Sequence, residues 1–490
     1  MVLTLSSVLT GFVATPLVLR WLGSERLGAF RAASDWLGYL GLLEMGLGGA
    51  LLALMARALG TGDDLALRAV ITAGLRAFRK VALWMLVGGG LLALAIPKLV
   101  PVSAGLTGDL RAGVAIGSLG FFLVALAPLR TLVDAQQRGY VLNLISLIQS
   151  LITTALVVCL AYTGFGVRGQ FAASIIGVIA LNGLLAWNNW KRILEFARSK
   201  GALDSETLAR AEQELWTLNR PTLIFNICGR VGLLTDNIVI ALFLGPAAVV
   251  PFFISQRLAQ LAQGQLQSIG NSTWAALAEL HVSGHAETFG RRLTELTKLV
   301  MVMGVAAMVP IVSYNYFFVQ LWVGQTQFGG TVLTAFASVN GILLSLFSLW
   351  GWVFSGTGRV ARLTRLNVAA ATVNISASLV CTKFFGLVGP LIGTTVSLVG
   401  VILWWEPLLL RKEFGVALRG LLEALLRPVA VAIPYAVLVW ILAHRYPPRG
   451  WMTLGLEMGT AGAAFMPLAW LLVLNREEQQ LWTSRLRSFV

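Results

Sequence analysis

Long apolar runs, separated by short polar and basic segments, recur along the whole chain. They predict fourteen helices, at 2–19, 28–54, 81–100, 112–129, 141–162, 169–187, 221–244, 249–277, 299–318, 331–354, 368–385, 389–405, 428–443 and 451–474. About 20 apolar residues cross a bilayer as a helix, and these runs are of that order. Helices are the default, because hydrocarbon cannot satisfy backbone groups and the runs are too long for barrel strands.

Composition sharpens this. The 490 residues are 57% hydrophobic and only 12% charged, against about 25% charged in soluble domains. A soluble enzyme, a disordered chain and a coiled coil are excluded. The net charge of +15 does not point to nucleic acid, because the cations lie between the apolar runs rather than in one block. Of the 37 Lys and Arg, eight fall in alternate loops (Arg20, Arg26, Lys98, Arg111, Arg168, Lys383, Arg445, Arg449) and three inside spans (Arg31, Arg230, Arg257). The other 26 occupy the opposite loops and the C-terminal tail. Cationic loops resist translocation, so both termini in the cytoplasm and an even number of spans are expected. The N-terminus lacks a basic n-region and a clear cleavage site and reads as the first span. The pairs Trp187/Trp190, Trp350/Trp352 and Trp404/Trp405 are expected as interfacial anchors. Segments 191–220 and 411–427 are expected as amphipathic helices on the inner headgroups. No loop could hold a folded catalytic domain, so an enzyme is not expected.

Shifted by 222 residues, the chain meets itself. Leu22-Gly23 falls on Leu244-Gly245, Phe30 on Phe252, Gly62 on Gly284 and Arg76 on Lys298. At an offset of 220, Gly166 and Gly169 fall on Gly386 and Gly389. The layout repeats too: six spans, a long basic loop, six spans. This predicts an all-α polytopic membrane protein of two parallel six-helix lobes, at 1–200 and 215–410. Two accessory spans at 428–474 and a cytoplasmic tail at 475–490 complete it. Two lobes around a central cavity suit alternating access.

Specific chemistry is sparse. There is no Gly-x-x-x-x-Gly-Lys-Ser/Thr phosphate loop. Three cysteines inside apolar stretches give neither a disulfide framework nor a metal pattern, and no cofactor or metal is expected. His281 and His285 read as a solvated loop pair, since Gly284 interrupts them. Gly38, Gly41, Gly46, Gly48 and Gly49 crowd the second span, for close packing or for a bend during transport.

The informative residues are ionisable groups inside spans, which are costly and usually face a bundle interior or wet cavity. They are Arg31, Asp35 and Glu44 in the second span, Arg230 and Asp236 in the seventh, Arg257 in the eighth and Glu457 in the last. Arg31 and Asp35 share one helix face at i, i+4. Asp236 and Arg257 each sit eight residues from the outer end of their spans, roughly 12 Å deep at about 1.5 Å per residue, and are expected to pair. Arg230 has no carboxylate at i±3 or i±4. Three readings stand side by side. The groups are structural ion pairs; or Arg31, Arg230 and Arg257 form a cationic cavity for phosphate or acidic sugar; or Asp35, Glu44 and Asp236 bind a proton or sodium ion.

The segment Arg20-Trp21-Leu22-Gly23-Ser24-Glu25-Arg26-Leu27-Gly28-Ala29-Phe30, with Leu43-Glu44-Met45-Gly46-Leu47-Gly48 behind it, resembles the opening of bacterial polysaccharide flippases of the O-antigen type. These belong to the multidrug/oligosaccharidyl-lipid/polysaccharide exporter superfamily. Asp236-Asn237-Ile238-Val239-Ile240, Leu244-Gly245 and Arg257-Leu258 resemble the opening of that family's second lobe. Leu321-Trp322-Val323-Gly324 and Gly356-Thr357-Gly358-Arg359 are similar to its loop motifs. The resemblance implies two six-helix lobes in a V and transport of a polyprenyl-diphosphate-linked oligosaccharide for surface polysaccharide or lipopolysaccharide synthesis. Membrane lipids, a polysaccharide polymerase and glycosyltransferases are its implied partners. The superfamily's drug exporters often carry an acidic residue in the first span, and residues 2–19 have none. An ion-coupled exporter of small amphipathic molecules is the alternative, and a membrane-embedded glycan transferase or ligase a more distant one.

Overall fold

The computed structural model describes residues 2–44, 46–191, 204–476, 478–480 and 483–484, and the side chains of all of these except 2–5, 7, 220–222, 224–226 and 228–234. Every described element is helical, and each of the fourteen apolar runs lies on helix. Eight helical segments are long and apolar enough to cross a membrane, or nine when a bent pair in the second span is counted, among the described residues. The protein is therefore an all-α, multi-pass membrane protein. It divides into two compact units, Met1–Val250 and Pro251–Val490.

In the first unit, α1 (Val2–Leu40) carries the first predicted span and the start of the second, kinked where Gly23 takes φ 78 and ψ 165. A 3-10 turn at Gly41–Glu44 ends it, and α2 (Leu47–Thr61) continues the second span after Gly46, at φ 89. A Cβ built on Gly41, Gly48 or Gly49 meets nothing within 4 Å. Close packing is thus not the reason for these glycines; the helix breaks where they cluster, since glycine is a poor helix former. Next, α3 (Asp64–Leu99) starts at Asp63, whose side chain accepts from the Ala66 amide at 2.9 Å. Then follow α4 (Thr107–Leu119), α5 (Ala127–Ala135), α6 (Gly139–Tyr162), α7 (Gly166–Asn188) and α8 (Ser205–Leu244).

The start of α8 corrects one expectation. Residues 205–219 do not lie free on headgroups. Leu208, Ala211 and Leu215 are buried in one core with Leu51 and Met55 of α2 and Val70 and Phe78 of α3. Their polar face is tied down as well, by Glu214 to Arg57 and Glu212 to Arg76. The apolar stripe of this amphipathic stretch found protein rather than lipid to cover it. Residues 192–203 lie outside the described residues.

The second unit holds α9 (Val249–Val282), α10 (Ala286–Val323), α11 (Thr331–Gly356), α12 (Thr364–Phe385), α13 (Gly389–Ser397), α14 (Leu403–Phe414), α15 (Leu418–Arg445) and α16 (Trp451–Leu472). The accessory helices α15 and α16 both pack on α10. There the Tyr435 and Phe465 rings pack at a tilt with centroids 5.0 Å apart, and Tyr435 donates to the Ala461 carbonyl. Trp350 is no interfacial anchor: it is fully buried, and its Nε1 donates to Thr297 Oγ1 at 2.9 Å. Trp352, by contrast, is half-buried and stacks on Trp274. In segment 411–427, Val416, Leu421 and Ala424 are buried, while Arg419, Glu423 and Arg427 form an i, i+4 ladder on the other face.

The glycine matches of the repeat have a conformational basis. Gly23 and Gly245 share φ 78, ψ 165 and φ 87, ψ 158. Both are backbone conformations that side chains other than glycine rarely adopt. Gly62 and Gly284, and Gly166 and Gly386, also have positive φ in both members.

Candidate functional site

Within the first unit, the second half of α1 runs beside the C-terminal half of α8, and their polar residues meet. The Nδ2 of Asn237 donates to Asp35 Oδ2 at 2.7 Å. One turn along α1, the Tyr39 hydroxyl lies 2.6 Å from Thr235 Oγ1. Arg31, one turn the other way, attracts the Asp35 carboxylate as the i, i+4 spacing requires. Asp236 adds a second carboxylate that interacts electrostatically with Asp35. Its Oδ1 is buried without a hydrogen-bond partner among the described residues, as are Asn237 Oδ1 and Trp36 Nε1.

Buried polar atoms are ordinarily satisfied, and exceptions call for an explanation. Among the described residues, this cluster has one cation, two carboxylates and two unsatisfied acceptor oxygens. Such a site can hold a proton, receive a hydrogen-bond donor from a ligand, or switch partners when helices move.

Glu44 lies elsewhere, in the break of the second span. It lines an open cavity of about 630 Å3 with Gly46, Gly48, Gly49, Arg130 and Asp134. Arg130 and Asp134 are spaced i, i+4 near the end of α5, so this locus also combines both signs of charge. Arg257 belongs to the second unit, half-buried on α9. On the same helix, Ser255 joins polar contacts to neighbouring segments: Asn315 Nδ2 donates to the Ser255 carbonyl at 2.8 Å and to Thr334 Oγ1 at 2.9 Å, and Ser255 Oγ accepts from the Gly329 amide at 2.7 Å. Arg230 is on α8, with its side chain outside the described residues. The pairing of Asp236 with Arg257 stays an expectation. Glu457 on α16 interacts electrostatically with Tyr314 of α10, and its Oε2 is buried without a hydrogen-bond partner among the described residues.

Asn237, Tyr39 and Thr235 escaped a sequence reading confined to charged residues. The signal was there: Asn237 follows Asp236 directly, and all three interrupt apolar runs. The histidine pair also differs from expectation. His285 is exposed, with Nδ1 3.0 Å from Ser283 Oγ. His281 instead packs its ring on Phe289 and Phe414, with centroids 5.5 and 4.9 Å away.

No family profile and no curated protein sequence matches the chain. Solved structures do. The lipid II flippase MurJ, in an inward closed conformation, superposes with a TM-score of 0.73 at 12% identity, over 96% of this chain and 98% of MurJ. An inward-facing multidrug resistance MATE family transporter of the MOP superfamily gives 0.64 at 15% identity, over 86% of this chain and 95% of its own. The eukaryotic MATE transporter AtDTX14 gives 0.57 at 16% identity, over 87% and 99%. The chain therefore has the fold of the lipid II flippase MurJ and of MATE transporters of the MOP superfamily.

Proposed function

We propose that this protein flips a polyprenyl-diphosphate-linked oligosaccharide across the bacterial inner membrane, with both termini in the cytoplasm, for surface polysaccharide synthesis. The observation that carries the reading is the membrane-embedded Arg31–Asp35–Asn237–Asp236 cluster in a chain whose fold is shared, nearly end to end, with a lipid II flippase. A glycan and its diphosphate cannot cross hydrocarbon unaided, whereas the polyprenyl tail can stay in lipid. What the protein must supply is a polar path with cations for the diphosphate. Arg31, Arg230 and Arg257 take that role, guanidinium being suited to phosphate by its planar fork. Asp35, Asp236 and Glu44 balance those charges or carry a coupling ion.

The test is reconstitution of the purified chain in liposomes with a fluorescent undecaprenyl-diphosphate oligosaccharide. Protection of the lipid from a membrane-impermeant quencher should decay faster with protein than without. Equal decay would refute the proposal. Arg257→Ala and Arg31→Ala, each checked for insertion, should slow the movement; normal rates in both would remove these residues from the mechanism.

The likeness to MATE transporters supports a second reading, export of small amphipathic molecules by ion exchange. It predicts raised drug susceptibility in a deletion strain with an unchanged glycan profile. The flippase reading predicts the reverse: lost surface glycan and its lipid-linked unit stranded on the cytoplasmic face.

A further inference from the structure

A second built locus lies in the first unit, on the face that the Lys and Arg distribution assigns to the cytoplasm. The turn between α5 and α6 and the end of α7 enclose a cavity of about 970 Å3. Gln136 and Arg138 line it from the turn, and Trp187, Asn188, Trp190 and Lys191 from the other side. Its polar side chains include two full cations and several amides, and no carboxylate among the described residues. Gln136 Nε2 and Asn188 Nδ2 are buried donors with no hydrogen-bond partner among the described residues. Neighbouring Asn189, by contrast, spends its Nδ2 on the Leu185 carbonyl at 2.9 Å.

Unsatisfied buried donors are costly, and here two of them flank Arg138 and Lys191. What satisfies all four at once is an anion with several acceptor oxygens, such as a phosphate. The aromatic residues narrow the source. Trp187 and Trp190 are 83% and 58% exposed. Exposed tryptophans at the end of a span mark the headgroup level of a bilayer. Anionic lipids of the cytoplasmic leaflet are drawn to just such basic groups.

We propose that this cavity binds the phosphate of an anionic phospholipid headgroup, with Arg138, Lys191 and the two amides as donors and the tryptophans along the upper acyl chain. The site is independent of the transport reading: a lipid held here stays whether or not the protein moves a glycan.

Native mass spectrometry of the full chain, titrated with phosphatidylglycerol or phosphatidylcholine, tests it. Wild type should retain phosphatidylglycerol with about tenfold or greater preference, from two interfacial charges. Arg138→Gln with Lys191→Gln, at a half-buried and an exposed position, should abolish that preference. An equal preference in this variant overturns the proposal. Gln136→Ala with Asn188→Ala keeps both cations and should weaken retention several-fold. Unchanged retention there overturns the cavity and leaves a merely charged surface. Inorganic pyrophosphate at millimolar concentration should not displace the lipid; displacement would make this a site for soluble phosphates and overturn the headgroup assignment.

Discussion

Asn237 on α8 donates a hydrogen bond to Asp35 on α1 at 2.7 Å, across 202 residues of sequence. The bond joins the seventh span to the second inside apolar surroundings, where a carboxylate that loses a donor is left poorly compensated. Replacing Asn237 with Leu removes that donor. Hydrogen bonds to charged groups contribute about 1.5–3 kcal/mol, so transport in the quencher assay should fall roughly tenfold or more. Asp35→Asn should show the same defect, and the double variant should be little worse than either single one. Additive losses would mean the two residues act separately.

A Cβ on Gly28 would lie 1.7 Å from the Pro246 carbonyl oxygen. Backbone cannot swing aside as a flexible side chain can. Gly28→Ala should therefore force α1 away from the Gly245–Pro246 turn and destabilise the first unit by about 1–3 kcal/mol, the usual scale of overpacking. Thermal unfolding in detergent measures it. An unshifted midpoint would show that the two segments separate freely.

Asp109, in the first turn of α4, caps α7. Its carboxylate accepts from the Val167 amide at 2.7 Å and the Arg168 amide at 3.3 Å, with the Arg168 guanidinium 3.4 Å away. Asp109→Ala should cost about 1 kcal/mol, as loss of a helix cap does. Asp109→Asn keeps an acceptor and should recover most of it. If the two variants unfold alike, charge rather than capping carries the effect.

His281 sits beyond the eighth span, its ring between Phe289 and Phe414. Burial first, and then the nearby positive charge of Arg359, push its pKa below the ordinary 6.5. The folded state thus favours neutral imidazole, while the unfolded chain takes up a proton more readily. The associated stability is present above pH 6.5 and is lost as pH falls below it toward the depressed folded value. His281→Phe keeps the ring packing and removes the proton, so its unfolding midpoint should vary less between pH 7 and pH 5 than wild type. Parallel pH curves would count against this account.

The fold was largely legible from sequence, because hydrocarbon leaves a chain few alternatives to helix, and apolar runs of span length declare themselves. The cluster at Arg31, Asp35 and Asp236 was legible in part, since charge in a span is costly enough to stand out. Asn237, Tyr39 and Thr235 were not, because neutral polar residues cost little and recur in many spans. Trp350 and the start of α8 misled for a common reason: a surface-seeking pattern says that a side chain will be covered, and only tertiary packing decides whether lipid or protein covers it.

The matched torsions at Gly23 and Gly245 bear on ancestry. A duplicated gene can drift until its halves share hardly a side chain, yet a turn that only one amino acid tolerates resists replacement. Where such a turn recurs, the backbone keeps its punctuation although the side chains around it no longer match.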